Sequence, residues 1–458
     1  MEQVTSPTLS RSALIITICI FIGLTFGIAL DFNLALPVIL FGGVGLFILF
    51  NERPLVFFAL LLIARMSLDY SSQFVTITIK DFSFSLSQIL GLAIALLGIY
   101  VIYLYHQKCA SFPLNRAFGL LVLWGALTLP YSLSPSVSVT EIIRIFDLYT
   151  ISLLAYLFVK KQDDFRTLLV TLLVSGIAPG LVALYQYFNH IGFVDADVSI
   201  PRIFGTFAHP NTLSLYLFTL LVVWLLYFRL FLAEHKNLHT FSPFLYIALF
   251  LILGLLFLTF ARVAWVITFL FVFILTFFRY PRLLVPLIIT PLFLILVSSS
   301  FQDRIAESLS PDPDSSIVWR QTLWADVITK NIQDDRILIG SGINTFPLFT
   351  NTVRESLAGS NDAHNDFVKF YIEGGVIGLS VLILFYFLLM EKLLTLKKRL
   401  SDSFVQDITL ILLTFTACLI LASLSDNIFK NTPVMWIYFA LFGALLSLTH
   451  TQVSLTKK

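Results

Sequence analysis

Three polar stretches interrupt an otherwise hydrophobic chain, and each carries residues suited to acid–base or phosphate chemistry. In the first, Asn361 to Gly378, a turn-prone polar run containing His364 leads directly into an apolar segment. Histidine has an unperturbed pKa of about 6.5 and can exchange a proton near neutral pH. His364 would therefore lie where water meets a bilayer, either as a proton acceptor or as an interfacial residue without chemistry.

The second stretch, residues 201–211, places Arg202 and His209 just before a predicted membrane segment. Arg202 could bind a substrate or be an ordinary arginine of a solvated loop. His209 is an alternative proton acceptor. However, Pro210 follows it directly and suits the first turn of a helix, which favours a structural role for His209.

The third stretch, residues 259–265, contains Arg262 between two apolar runs. A charge so close to hydrocarbon is costly and is usually paired or functional, although an arginine can also extend its guanidinium to lipid headgroups. Arg144, by contrast, has Glu141 and Asp147 at helical spacing. We expect it to pair with one of them.

Two arginines and a histidine near one surface could divide the work of a transfer reaction. A guanidinium group binds phosphate through two parallel hydrogen bonds and stays charged. Histidine can take the proton from an alcohol as that alcohol attacks. These residue types favour a lipid-linked diphosphate as substrate, because its leaving group must be stabilised as it departs.

The composition indicates that a membrane domain positions these residues. Hydrophobic residues make up 58% of the 458 and charged residues 12%, against about 25% charged in soluble chains. The three cysteines lie in or beside apolar segments without metal-ligand spacing, which favours neither a disulfide framework nor a zinc site. We expect residues 1–458 to form a single integral membrane domain.

The apolar segments predict an all-α polytopic membrane protein with about 12–14 transmembrane helices, since a spanning helix needs roughly 17–25 residues. Span 54–67 is short and contains Arg65, which makes the count a range. The first span is longer than a signal-peptide core and is predicted to be retained. The predicted spans are 13–30, 34–50, 54–67, 88–105, 117–133, 141–159, 167–188, 212–231, 244–260, 263–278, 283–298, 375–390, 408–424 and 434–449.

Lysine and arginine concentrate in alternate loops, and this bias predicts the orientation. The run 392–399 is strongly basic, whereas the loop at 134–140 carries neither residue. Both termini are therefore predicted to be cytoplasmic. Residues 189–211, the junction at Arg262 and a large loop at 299–374 would then face the periplasm, so that all three polar stretches meet on one side.

Two segments outside the spans have recognisable patterns. Residues 74–87 alternate as in short strands and could form a hairpin or an extended loop. In the large loop, residues 319–328 repeat apolar side chains at helical spacing. This helix could lie on the outer leaflet or pack into a small external core, and its Arg320 is a further candidate for substrate binding. Gly340-Ser341-Gly342 predicts a tight turn.

The first stretch also has a specific spacing. His364 and Asn365 are followed by nine residues, then Gly375, two residues and Gly378. This resembles the signature of bacterial O-antigen ligases, His-(Asn/Ser/Gln)-x9-Gly-x-x-(Gly/Thr/Tyr), at every fixed position.

The resemblance extends to the other stretches and covers roughly residues 140–450. An Arg-x-x-Gly element that ends in Pro-Asn begins at Arg202, and an arginine at a helix junction recurs as Arg262. The serine usual before that arginine is Ala261 here, so a hydroxyl contact is absent.

Membership of the O-antigen ligase and polymerase superfamily would imply a membrane-embedded GT-C glycosyltransferase fold. It would also imply inverting, metal-independent transfer that needs no cofactor. The donor would be a glycan on undecaprenyl diphosphate, and the acceptor a lipid A–core or other glycan hydroxyl at the periplasmic face of the bacterial inner membrane. By motif, His364 would be the catalytic base and Arg202 and Arg262 would hold the diphosphate. Asn365 and His209 would contact substrate.

Three alternatives remain. A polysaccharide polymerase shares the arginines but matches the histidine signature less consistently. A lipid-glycan transporter would place its ionisable residues near mid-membrane, whereas these cluster at the predicted outer surface. A metal-dependent enzyme could use Asp312 and Asp314, although a proline between two carboxylates is ordinary in a turn.

Overall fold

A computed structural model describes residues 45–67, 76–79, 82–193, 201–234, 243–279, 281–309, 316–354, 361–399 and 402–455. The contacts divide the chain into two units, residues 1–61 and 62–458. In the first unit, residues 45–52 are helical. Every residue of the candidate site and of the cavity described below belongs to the second unit, residues 62–458. That the whole chain forms one domain stays a prediction.

The described elements are almost all helices. In chain order they are α1 (Pro54–Ser67), β1 (Thr76–Ile79), β2 (Phe82–Ser85), α2 (Leu86–Leu104), α3 (His106–Ala110), α4 (Asn115–Thr128), a 3₁₀ turn (Leu129–Tyr131), α5 (Pro135–Phe158), α6 (Gln162–Ser175), α7 (Ile177–Phe188), α8 (Pro210–Glu234), α9 (Pro243–Leu258), α10 (Arg262–Phe278), a second 3₁₀ turn (Pro281–Leu283), α11 (Leu284–Val297), α12 (Ser299–Leu309), α13 (Ser316–Gln333), α14 (Phe346–Val353), α15 (Asp366–Arg399), α16 (Ser403–Ala422) and α17 (Thr432–Leu455).

The polytopic all-α architecture is confirmed. Six described helical segments are long and apolar enough to cross a membrane, and four shorter apolar helices accompany them. Predicted span 54–67 coincides with α1. Span 13–30 and the first part of span 34–50 lie outside the described residues, so the total of 12–14 stays a prediction.

The ends of several helices follow from the local sequence. Pro135, Pro210 and Pro243 each open a helix, because the fixed φ of proline suits the first turn and its missing N–H costs nothing there. The Asp402 carboxylate accepts a hydrogen bond from the backbone N–H of Phe404 at 2.8 Å and so caps α16.

Residues 76–79 and 82–85 form two paired strands, which agrees with the hairpin that one of the two sequence interpretations predicts. Strands β1 and β2 are antiparallel, with Thr76 opposite Ser85 and Ile79 opposite Phe82. The side of the membrane on which the hairpin lies is a prediction that the structure does not test.

The interior is built around α17. In the 18-residue window of this helix, 94% of the residues are buried, against 22% in the corresponding window of α2. Along its length α17 packs against α5. These two helices carry part of the wall of a polar cavity described below.

The large loop folds into a small core of its own. Leu323 and Val327 of α13 pack against Phe346 and Phe349 of α14, and Trp319 lies against the same cluster. The indole N–H of Trp324 donates to the Ala363 carbonyl at 2.7 Å. The structure therefore supports the packed interpretation of this helix.

Candidate functional site

The start of α15 positions His364. Asn365 caps this helix, since its carbonyl oxygen accepts from the backbone N–H groups of Phe367 and Val368 at 2.9 and 3.1 Å. Its amide nitrogen donates to the Leu424 carbonyl at 3.0 Å. Both ends of the Asn365 amide are therefore engaged in structure. Its predicted contact with substrate is not tested.

His364 precedes the cap in a left-handed backbone conformation, with φ 46°. Such a conformation is uncommon outside glycine and recurs at functional sites. Its side chain is 17% exposed. The imidazole is therefore partly exposed in the described fold.

A chain of polar contacts joins His364 to Arg202. The His364 Nδ1 atom lies 3.4 Å from Asp426 Oδ1. The Asn211 amide donates to Asp426 Oδ2 at 3.0 Å, and Arg202 Nη2 donates to the Asn211 carbonyl oxygen at 3.0 Å. We name these four residues the reaction centre. It brings together two of the three polar stretches and a residue, Asp426, that the sequence analysis did not select.

The third stretch joins through the backbone. Arg202 Nε donates to the Thr259 carbonyl at 2.9 Å, and Arg202 is only 4% exposed. Arg262, the first residue of α10, follows three positions after Thr259 and is half-buried. Arg202 therefore contacts the backbone three residues before Arg262, the other arginine predicted to hold the diphosphate.

The electrostatics of Asp426 favour its ionised form. Burial acts to raise the pKa of this carboxyl, but the hydrogen bond and charge of His364, the Asn427 amide and the charge of Arg320 together lower the pKa below its usual range. Asp426 thus presents a carboxylate to His364. A carboxylate in this position can orient an imidazole and stabilise its protonated form.

Two other candidates lie at the edges of the reaction centre. Arg320 Nη1 donates to the Ser425 carbonyl at 3.4 Å, next to Asp426. His209 Nδ1 accepts from the Asn211 backbone N–H at 3.1 Å, and its ring meets Phe193 edge-on at 4.9 Å. Arg320 thus has a hydrogen bond to a distant part of the chain, and His209 has a local hydrogen bond and a ring contact. Their predicted contacts with substrate are not tested.

Arg144 has the predicted structural partner. It donates to both carboxylate oxygens of Glu141, at 2.6 and 2.8 Å, and to the Phe429 carbonyl at 2.8 Å. It therefore ties α5 to the loop of residues 423–431, which carries Asp426.

Glycine breaks α15 at Gly375, with nine residues between it and the cap. Gly375 has φ 59° and ψ −154°, which interrupts the helix. The Leu338 backbone lies so close that a Cβ atom at Gly375 would overlap it. A side chain here would meet both steric exclusion and backbone strain.

The loop of residues 337–342 satisfies the backbone groups that the break exposes. The Val376 N–H donates to Ile337 at 2.8 Å. In return, the N–H groups of Ser341 and Gly342 donate to the carbonyls of Ile372 and Glu373 at 3.0 and 2.8 Å. The predicted Gly340–Gly342 turn thus holds α15 just before its break through these hydrogen bonds.

Gly378 leaves space for an aromatic side chain. A Cβ atom there would lie 2.8 Å from the Trp124 ring, and Trp124 stacks on Phe370 with ring centroids 5.2 Å apart. On the same segment, Lys369 Nζ and Glu373 Oε2 lie 3.3 Å apart, both almost fully buried. We name Lys369, Glu373, Gly375, Gly378 and Trp124 the support region. It fixes the segment that carries His364.

Residues 247–383 match the family model described as O-antigen ligase. The chain is similar to the O-antigen ligase family over these residues. The match contains Arg262, His364 and both signature glycines. Arg202, Asn211 and Asp426 lie outside the matched residues and reach them through the contacts above. No curated protein matches the chain at a significant level.

The sequence analysis missed the bridging pair, Asn211 and Asp426. Asn211 appears in the arginine element but was not assigned to the site. Asp426 stands in a short polar run between the last two spans. An acidic residue at the predicted outer end of a span, facing a histidine loop across the same surface, was the available signal.

Proposed function

We propose that the protein is an O-antigen ligase-type glycosyltransferase. It moves a glycan from undecaprenyl diphosphate to an acceptor hydroxyl, with a lipid A–core sugar as the acceptor. The family match supports a ligase or polymerase type of enzyme. The observation that carries the proposal further is the continuous path from His364 through Asp426 and Asn211 to Arg202.

His364 acts as the general base. The acceptor oxygen attacks the anomeric carbon as its proton passes to His364, and the bond between that carbon and the diphosphate oxygen breaks. Attack opposite the leaving group inverts the anomeric configuration. Asp426 holds the imidazole through Nδ1, which leaves Nε2 for the acceptor proton, and stabilises the imidazolium that forms.

Arg202 and Arg262 receive the charge of the leaving diphosphate. Preorganised guanidinium groups stabilise such charge more in the transition state than in the ground state. Arg202 is held at Nε by Thr259 and at Nη2 by Asn211, so its orientation is fixed in advance. The arginines supply the positive charge that a divalent cation would supply in a metal-dependent transferase.

The reaction takes place at the periplasmic face of the inner membrane. The bias of lysine and arginine supports this orientation, with both termini in the cytoplasm. Asp312 and Asp314, the alternative metal ligands, lie outside the described residues.

The test is transfer by purified protein in lipid nanodiscs, with undecaprenyl diphosphate-linked glycan as donor and lipid A–core as acceptor. His364→Ala should lower the transfer rate by about 10²–10⁴ while donor binding is retained. His106→Ala, at an exposed histidine of α3, should behave as wild type. Transfer should continue in excess EDTA.

Three results would contradict the assignment. They are transfer by His364→Ala at the wild-type rate, loss of activity only because the donor no longer binds, and activity that requires added magnesium or manganese. The product separates the family alternatives, since glycan on lipid A–core indicates a ligase and a lengthened glycan on the lipid carrier indicates a polymerase.

A further inference from the structure

A polar cavity lies between α1, α2, α5 and the start of α17. Its volume is about 340 Å³, within the range of about 300–1,000 Å³ typical of small-molecule sites. Among the described residues that form its wall, none belongs to the reaction centre. We name it the α5 cavity, after the helix that contributes Glu141, Arg144 and Asp147.

The wall holds polar atoms whose hydrogen-bonding capacity is unused. Asp147 Oδ1, Asn344 Oδ1 and Trp436 Nε1 are buried and have no hydrogen-bond partner among the described residues. Buried polar atoms are normally paired, and an unpaired one calls for a bound water, ion or ligand. Here two acceptors and one donor from three separate elements occur in the wall of one cavity.

The charges of the wall select the kind of ligand. The charge of Arg144 is matched by Glu141, and that of Lys430 by Asp362, whose carboxylate lies 3.1 Å from Lys430 Nζ. The remaining cation of the wall, Arg65, lies beside Asp147 and over the Trp436 ring, 5.8 Å from its centroid. Each cation of the wall therefore already has a partner among the described residues, which disfavours phosphate, and this density of polar groups would exclude an acyl chain. A ligand rich in neutral hydroxyl groups suits the wall, because each hydroxyl both donates and accepts.

The α5 cavity adjoins the segments that hold the reaction centre. Lys430 and Phe429 follow Asp426 in the same loop, and Arg144 binds the Phe429 carbonyl at 2.8 Å. Asp362, the partner of Lys430, stands two residues before His364. Arg202, one of the arginines proposed for the diphosphate, approaches Asp426 through Asn211, whereas the cavity approaches the later part of that loop through α5.

We infer that the α5 cavity binds a saccharide unit of the acceptor glycan, which reaches the reaction centre from the α5 side while the lipid diphosphate occupies the Arg202 side. The assignment to the acceptor rests on the proposed transferase function. The assignment to a saccharide rests on the wall alone and is tested without catalysis.

Binding is measured by saturation-transfer NMR on the protein in nanodiscs, with the methyl glycosides of glucose, galactose and N-acetylglucosamine as probes. We expect at least one glycoside to receive saturation from the wild-type protein. Gly91→Leu should abolish that signal, because Gly91 lines the cavity and the new side chain would fill it. A Cβ atom at this position would lie 3.1 Å from Asp147 Oδ2. That neighbour is the end of a side chain, which can move, so the variant should fold.

Two further variants sharpen the measurement. Gly254→Leu makes the same change at a helical glycine with open space around it, and its signal should equal that of wild type. Asp147→Asn keeps the side-chain size and removes the carboxylate. It should weaken glycoside binding about tenfold, as expected when a hydrogen bond between the ligand and the buried Asp147 side chain is lost.

Kinetics then distinguish the acceptor from the donor. In Gly91→Leu, KM for lipid A–core should rise at least tenfold, while KM for the lipid-linked donor stays at the wild-type value. A rise in donor KM alone would overturn the acceptor assignment.

The saccharide assignment fails if no glycoside binds the wild-type protein, if Gly91→Leu binds as well as Gly254→Leu, or if inorganic phosphate competes for the site. If transfer is never observed but glycoside binding depends on Gly91 and Asp147, the saccharide site stands and the proposed transferase function fails.

Discussion

His364 of the reaction centre precedes the short segment Asp366 to Gly374, and the support region lies within and after it, with Trp124 packed against it. The side chains of the reaction centre contact one another at 3.0–3.4 Å, and His364 keeps part of its surface exposed. The support region holds the segment through buried backbone hydrogen bonds and glycines that admit no side chain. The side-chain contacts of the reaction centre can rearrange when a substrate binds, whereas the contacts of the support region fix the position of the segment.

The comparison divides the signature motif into two functions. In the proposed mechanism His364 supplies the proton acceptor, whereas Gly375 and Gly378 permit the helix break and the approach of Trp124. The nine intervening residues set the length of helix between cap and break. Changes in the support region should therefore lower the amount of folded protein, and changes in the reaction centre should lower transfer by protein that remains folded.

The largest effect is expected at Gly375. Gly375→Ala should cost more than about 4 kcal/mol, at the extreme for single substitutions, because its Cβ would overlap the Leu338 backbone and φ 59° with ψ −154° is nearly restricted to glycine. Size-exclusion chromatography of detergent-solubilised protein should show little folded protein. Gly254→Ala, with nothing near its Cβ, is the control. Normal folding of Gly375→Ala would contradict the interpretation that the helix break requires glycine at this position.

The next effect is expected at the arginines. Arg202→Ala and Arg262→Ala should each cost about 2.7–4 kcal/mol of transition-state stabilisation, or roughly a hundredfold or more in transfer rate. Arg262→Lys keeps the charge but loses the planar fork and should also be substantially impaired. Single-turnover transfer rates check this. A fully active variant at normal expression would exclude that arginine from the site.

The sequence predicted the helices and the chemistry more fully than the connections. Long apolar runs determine spans almost alone, so α1 and α8 to α10 lie close to their predicted positions. The pair Arg144–Glu141 followed from helical spacing. Asp426 could not be placed, because its partners lie 62 and 215 positions away, and nothing local marks such a contact.

Asn365 shows a different limit of sequence analysis, because the motif selected the residue but did not determine its role. A motif indicates which residues recur together but does not distinguish a residue that touches substrate from one that caps a helix. The structure places both ends of its amide in backbone contacts. The loop at 337–342 is a similar case, since a glycine-rich turn has the same sequence pattern whether it holds a phosphate or a helix break.

A smaller effect is expected at Asp426. Asp426→Asn keeps the size of the side chain but removes the charge that faces His364, which should cost about 1.5–3 kcal/mol, or roughly tenfold to a hundredfold in transfer rate. Folding and donor binding should be retained. Asp407→Asn, at a buried carboxylate paired with Arg229 and Arg279 away from the reaction centre, is the control for the loss of a buried ion pair. An unchanged rate in Asp426→Asn would show that His364 works without this carboxylate.

The smallest expected effect is the pH dependence of stability that Asp426 confers. Because the pKa of Asp426 is lowered in the folded protein, its carboxylate stabilises the fold above the unfolded pKa of about 3.9. This contribution is lost as pH falls through the folded pKa. The difference in thermal midpoint between wild type and Asp426→Asn should therefore shift against wild type as the pH falls below about 4. In a His364→Ala background the loss should begin at higher pH, because the charge of His364 helps to lower the Asp426 pKa. A shift in favour of wild type on acidification would instead mean that burial dominates and that Asp426 faces His364 as a neutral acid.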